Sequence, residues 1–269
     1  MMKYYLHENK WEDVEAYLKE KKTILLPVGS VEQHGKHLPL GTDSLLAQDI
    51  AMDVAEKTGV LIASPLWYGW APHHMAYPGT VTLRPETLTH VVEDVLNSLI
   101  YHGFEKILII NGHREANLPP LRIALTRVRN NTGAFVGIAD PFYINAVAGR
   151  ELSEVEPGGI GHAEELETSI MYDRHAELCS PEAAVKNIPS DHNRFLQHDP
   201  NVLTDKILTA SDVAHYREAT NGVGVMGDAT PADKDKGQEY QKRMVDNISE
   251  FVEYLEELEV EIRKKEIPL

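Results

Sequence analysis

The run TILLPV at residues 23–28 constrains the fold more than any other stretch, because three apolar residues in a row, followed by Pro and Val, read as a strand buried on both faces. SLLAQDIAMDVAEKTG follows with helical spacing and a closing glycine, completing a β-loop-α unit. The pattern then repeats. LIASPLW reads as a second strand, TVTLR as a short strand after the turn YPGT, and PETLTHVVEDVLNSLIYHGF as a long helix with Pro85 near its first turn. KILIING, a helix from about Leu118, and GAFVGIAD carry the alternation through the first 140 residues. Together with the short amphipathic helix WEDVEAYLKEK, they predict an α/β fold with a mostly parallel sheet covered by helices on both faces.

Beyond that point ELSEVEPGGIG reads as a loop and HAEELETSIMYDRHAE as a helix. Residues 180–232 are rich in Pro, Asp, Asn and Gly and show no clear period. The stretch KGQEYQKRMVDNISEFVEYLEELEVEIRKKE is a strong helix that would pack on the sheet through Met244, Ile248, Phe251, Val252, Leu255 and Leu258. No repeat of solenoid period and no low-complexity linker divides the chain, so a single domain over residues 1–269 is expected.

Composition narrows the function classes. With 42% apolar and 25% charged residues the chain is an ordinary globular one. A formal charge of −16 argues against nucleic acid and against an anionic membrane surface, leaving small molecules as the expected partners. No apolar run approaches the ~20 residues needed to span a bilayer. The single cysteine, Cys179, rules out an intrachain disulfide and suits a cytoplasmic location.

Sites in open parallel sheets form outside the carboxyl ends of strands, and three polar clusters bear on this position. The first, VGSVEQHGKHLPLGTD, directly follows TILLPV and holds Glu32, His34, His37 and Asp43. Glu32 and His34 are two apart, on one face of an extended segment, while Asp43 sits where the next helix should begin and could equally serve as its cap. His34 and His37, taken singly, also suit hydrogen-bonded loop histidines. The second cluster, NGHREAN after KILII, repeats the spacing with His113 and Glu115, and Gly112 would let the chain turn sharply. Glu32, His34, Asp43, His113 and Glu115 form a mixed N and O donor set suited to zinc, manganese or iron. With five such ligands one carboxylate could bridge two divalent ions, a pair able to bind hydroxide at neutral pH and polarise a carbonyl. The third cluster, GHAEELETS, supplies His162 at a helix start, either a structural histidine or, beside such metals, a general acid.

PVGSVEQHGKHLPLGTD, HHMAYPGT, NGHREAN and GHAEELETS occur in an order that resembles the signature segments of the creatininase (creatinine amidohydrolase) family. GVGVMGDATPADKDKGQEY is similar to that family's carboxyl-terminal pattern. The resemblance implies a three-layer α/β/α sandwich, a binuclear metal centre and a homo-oligomer, often a hexamer. It implies Glu32, Asp43 and His113 on one metal and His34, Asp43 and Glu115 on the other. It further implies His162 as the catalytic histidine, Glu167 as an acidic residue supporting the ligands or orienting substrate, and His74 near the pocket as a substrate-binding residue. Creatinine-cleaving members carry an aromatic residue where this chain has Arg114, a side chain suited to phosphate, carboxylate or polyol oxygens.

Three functions are compatible with these residues. The first is hydrolysis of a small cyclic amide or formamide, with a metal-bound hydroxide attacking the carbonyl and His162 protonating the leaving atom. The second is hydrolysis of a carbon–carbon bond in a cyclic polyhydroxy diketone such as an oxidised inositol, as in the family's inosose hydrolases. The third is a catalytically silent metal-binding protein, which the open, thiol-free donor set disfavours.

Overall fold

The computed structural model describes residues 3–188 and 212–264, and for Glu115 the backbone alone. Helix α1 (Trp11–Glu20) precedes strand β1 (Thr23–Val28). Then come α2 (Thr42–Thr58), β2 (Leu61–Ile62), α3 (Pro85–His102), β3 (Lys106–Asn111), α4 (Arg114–Thr132) and β4 (Phe135–Ala139). The four strands form one parallel sheet in the order β2-β1-β3-β4. Short helices α5 (Pro141–Ile144) and α6 (Ala146–Leu152) lead to α7 (Glu165–Arg174). Strands β5 (Lys186–Asn187) and β6 (Gly227–Asp228) pair antiparallel, α8 (Val213–Ala219) lies between them in sequence, and α9 (Lys234–Glu257) follows.

Every residue of β1 and β3 is buried, as a strand covered on both faces requires. Side-chain alternation divides them between two cores. Leu25, Leu108 and Ile110 pack with Leu46, Ile50 and Val54 of α2, Ile170 of α7, and Met244, Ile248 and Val252 of α9. Ile24, Leu26, Ile107 and Ile109 pack instead with Leu88, Val92 and Leu96 of α3 and Leu121 and Val128 of α4. The result is three layers, helix on sheet on helix.

Strands β1 and β3 pair in register from Thr23 with Lys106 to Val28 with Asn111, so both end at one level. The polar segments that follow them therefore emerge side by side.

Several elements differ from expectation. TVTLR forms no strand; Val81 makes one antiparallel bridge to Val31, while Thr80 and Thr82 accept backbone N–H groups through their hydroxyls. LIASPLW pairs only at Leu61–Ile62 and again at Leu66. Helix α4 starts at Arg114, a turn before Leu118, and Pro119 and Pro120 lie inside it rather than at its start, where a missing N–H matters least. The expected loop at 151 begins with the last turn of α6. The helix expected to run past Leu258 ends at Glu257, and the segment beyond it sends the Arg263 N–H to the Thr132 carbonyl at 2.8 Å, satisfying the open end of α4. Of the unassigned region 180–232, residues 189–211 lie outside the described residues. No helix among the described residues is long and apolar enough to cross a membrane.

Candidate metal centre

The site lies in the crevice at the carboxyl ends of β1 and β3. Glu32 and His34 follow β1, His113 is the residue before α4, and Asp43 is in the first turn of α2. Gly41 occupies the cap position of α2 without a side-chain bond, so Asp43 is free of capping and turns toward the histidines. Gly112 is needed for a reason other than a turn. A Cβ there would stand 2.0 Å from the Asp43 carbonyl oxygen, so only glycine lets the start of α2 rest against the end of β3.

Within this crevice His34 Nε2 is 3.1 Å from Asp43 Oδ1, His113 Nδ1 is 3.1 Å from Asp43 Oδ2, and His113 Nε2 is 3.2 Å from Glu32 Oε2. One ligand atom from each of Glu32, Asp43 and His113 falls within a 4.8 Å cluster, and all three residues are buried. A second such cluster joins His34, His162 and Glu167, and a third joins Glu32, His74 and His162. Seven of the eight expected site residues with described side chains, Glu32, His34, Asp43, His74, His113, His162 and Glu167, thus converge in one crevice.

These atoms approach one another without bonding. Glu32 Oε1, His34 Nε2 and Asp43 Oδ2 are buried and have no hydrogen-bond partner in line, although buried polar atoms are nearly always paired. The 3.1 Å approach of His34 to Asp43 lies off a hydrogen-bond axis, so it is a close polar contact and not a hydrogen bond. Electrostatics agree with that reading. Burial and the nearby Asp43 hold the Glu32 carboxyl well above its usual range. Burial would raise Asp43 too, but the His34 and His113 imidazoles outweigh it and keep Asp43 ionised. Burial would depress His34, yet Asp43 raises it to about 9. A cation would replace the protons that these groups otherwise need.

His162 precedes α7 by three residues rather than starting it, and its backbone pairs with Met226 on both sides. Its Nδ1 is 3.7 Å from Glu32 Oε1. Glu167 Oε2 accepts the Ala163 N–H at 2.7 Å and so braces the strained turn in which Ala163 has φ 53°. His74, in the 3₁₀ turn His73–Ala76, is buried with Nε2 3.1 Å from Glu32 Oε1. Arg114 stays outside the cluster, its guanidinium 4.1 Å above the Tyr143 ring and its Nε 3.9 Å from Asp140. Glu115 lies in the first turn of α4, and its side chain is outside the described residues. His37 bonds Thr168 of α7 at 3.0 Å, tying the first polar segment to that helix.

Two contributors escaped sequence reasoning. Gln33 is buried between Glu32 and His34 and reaches His74, His162, Tyr216 and Gly224. Glu164 caps α7 through the Leu166 and Glu167 N–H groups, with burial and then Glu167 raising its carboxyl to about 8. No sequence signal marked the first, whose partners Tyr216 and Gly224 lie far along the chain. A carboxylate three residues before another at a helix start was the signal for the second.

Fold and crevice together define an α/β/α protein with a carboxylate–imidazole centre at the carboxyl edge of its sheet. The chain belongs to the creatininase family, whose model, described as creatinine amidohydrolase, matches residues 7–252. It is 30% identical over 266 residues to a 3-dehydro-scyllo-inosose hydrolase of Thermotoga maritima, covering 92% of this chain and 82% of that protein. It is 26% identical to a creatinine amidohydrolase of Pseudomonas putida, covering 92% of this chain and 95% of that protein. Among solved structures, a manganese form of creatininase superposes with a TM-score of 0.79 at 24% identity, covering 96% of this chain and all of that one. The chain is accordingly a hydrolase of this family.

Proposed function

We propose that this hydrolase is metal-dependent and cleaves the C–N bond of a small cyclic amide or formamide. Glu32, His34, Asp43, His113 and Glu115 would hold two divalent ions, with Asp43 shared between them. The carrying observation is the set of buried, unpartnered atoms on Glu32, His34 and Asp43 that face a common space beside His113. Zinc, manganese or iron suits these nitrogen and oxygen donors. When bound, such ions supply an ionised water as nucleophile and electrophilic pull on the substrate carbonyl.

The chain's own residues supply the rest. His162 gives a proton to the departing nitrogen. Glu167 holds the turn that carries His162, and the buried walls around Glu32 exclude bulk water. Arg114 meets anionic or hydroxyl groups of the substrate. His74, expected to do likewise, lies against Glu32, and its part is taken up below. We read the protein as a single-domain cytoplasmic enzyme acting as a homo-oligomer, with a hexamer the expected mass in light scattering.

A second reading, hydrolysis of a carbon–carbon bond in a cyclic polyhydroxy diketone, is favoured by the Thermotoga maritima relative and by Arg114 in place of an aromatic residue. An enolate would then leave instead of an amine. Turnover of a lactam or formylaminopyrimidine, and none of a keto-inositol, decides for the amide. His162→Ala with undiminished turnover and metal content would remove His162 from its role. Chelation that unfolds the protein, rather than silencing it with the fold intact, would favour a purely structural centre.

A further inference from the structure

Gln33 lies between two of the proposed ligands, and its side-chain amide touches both histidines that flank them. Backbone pins that amide at each end. Oε1 accepts the Gly35 N–H at 3.0 Å, and Nε2 donates to the Gly224 carbonyl at 2.9 Å. A backbone N–H only donates and a carbonyl only accepts, so the amide has one allowed orientation. Gly224 makes room for it, with φ +81° and a position where a Cβ would stand 1.9 Å from Gln33 Oε1.

The protons on the two histidines follow. His162 Nε2 is 2.7 Å from the Gln33 backbone carbonyl, which can only accept. That nitrogen therefore carries a proton, and Nδ1 is the atom turned toward Glu32. Gln33 Nε2, 2.9 Å from the same protonated nitrogen, cannot donate to it. Its second hydrogen finds His74 Nδ1 at 3.1 Å, nearer than the Tyr216 hydroxyl at 3.3 Å. His74 Nδ1 is thus bare, and the ring's proton sits on Nε2, facing Glu32 Oε1 at 3.1 Å.

We propose that Gln33 is a positioning residue that fixes both tautomers, so that His74 turns a protonated nitrogen toward Glu32 without bonding it and stays outside the metal shell, while His162 takes up and releases protons at Nδ1. Glu32, His74 and His162, though close enough to share an ion, would then not be a metal site, because the His74 nitrogen that faces Glu32 carries a hydrogen and its lone pair, on Nδ1, is turned to Gln33. This inference rests on the reading of Glu32 as a metal ligand.

Magic-angle-spinning spectra of metal-free protein carrying ¹⁵N-histidine test it, with His74→Gln and His162→Gln supplying the assignments. Both rings should show a protonated Nε2 and, for His74, a bare Nδ1. A His74 protonated on Nδ1 overturns the proposal, and the wild-type spectrum alone decides this. Gln33→Met, which cannot donate, should abolish the His74 preference; an unchanged His74 pattern in that variant also overturns it. In Mn²⁺ titrations His74→Ala should bind as many ions as wild type with affinity roughly 10–100-fold weaker, as for residues that support a ligand. Loss of a whole ion would make His74 a ligand and defeat the inference. If wild type takes up no Mn²⁺, Zn²⁺ or Fe²⁺, the metal reading fails, while the spectra still judge the tautomers separately.

Discussion

Glu32 and Glu165 are both carboxylates without exposed surface, and they differ in how they are held. Glu165 accepts the Ser153 hydroxyl at 2.6 Å and the Glu154 N–H at 3.0 Å, and it pairs with the Lys236 ammonium. Glu32 accepts the Ser30 hydroxyl at 2.9 Å on one oxygen, and its other oxygen has no hydrogen-bond donor in line. The first is a finished joint between α7, α9 and the chain after α6. The second is left incomplete within reach of Asp43 and His113. Burial alone therefore does not separate structural from functional carboxylates; the completeness of their donors does.

Substitutions can break that contrast. Asp43→Ala should carry the largest functional effect, weakening metal binding by more than the roughly 100-fold seen for supporting residues and removing turnover with it. Competition with a metal-sensitive dye measures it, and two tightly retained ions would overturn the assignment. Glu165→Ala should do the opposite, costing about 3 kcal/mol in urea unfolding by removing the buried partner of Lys236, which keeps only the Pro231 carbonyl and the exposed Glu154, with metal affinity unchanged. Gly112→Ala should fall between, costing about 1–3 kcal/mol and weakening metal binding as well, since its Cβ must push Asp43 away.

The smallest effect is expected far from the site. His175 bonds Asp49 at 2.7 Å, and that bond raises its pKa above the ordinary 6.5. Its contribution is complete below the ordinary value and disappears as pH climbs past the raised one. His175→Gln should flatten the decline in stability on that alkaline side by no more than about 1 kcal/mol, read from melting curves across pH.

Much of this was legible in the chain. TILLPV and KILII announced strands covered on both faces because period-two burial leaves no polar position to spare. The strand-end placement of Glu32, His34 and His113 followed from the same alternation. Asp43 was ambiguous between cap and ligand, and the position of Gly41 at the cap removes the cap reading. TVTLR failed as a strand because its threonine side chains take backbone donors that a sheet neighbour would otherwise serve. Gln33 was visible as a letter but not as a hub, since Tyr216 and Gly224 lie in a stretch whose Pro, Asn and Gly content hides any period. The Glu165–Lys236 joint was equally hidden, because two charges 71 residues apart look like any solvated pair.

The distance from Gln33 to Gly224, 191 residues, also bears on the order in which the crevice is completed. Glu32, Asp43 and His113 belong to the first β-α units, whose contacts close early, whereas the Gly224 carbonyl arrives only with the late chain. A growing chain would therefore bring Glu32, Asp43 and His113 together before the Gly224 carbonyl arrives to clamp the Gln33 amide between them and the later half of the fold.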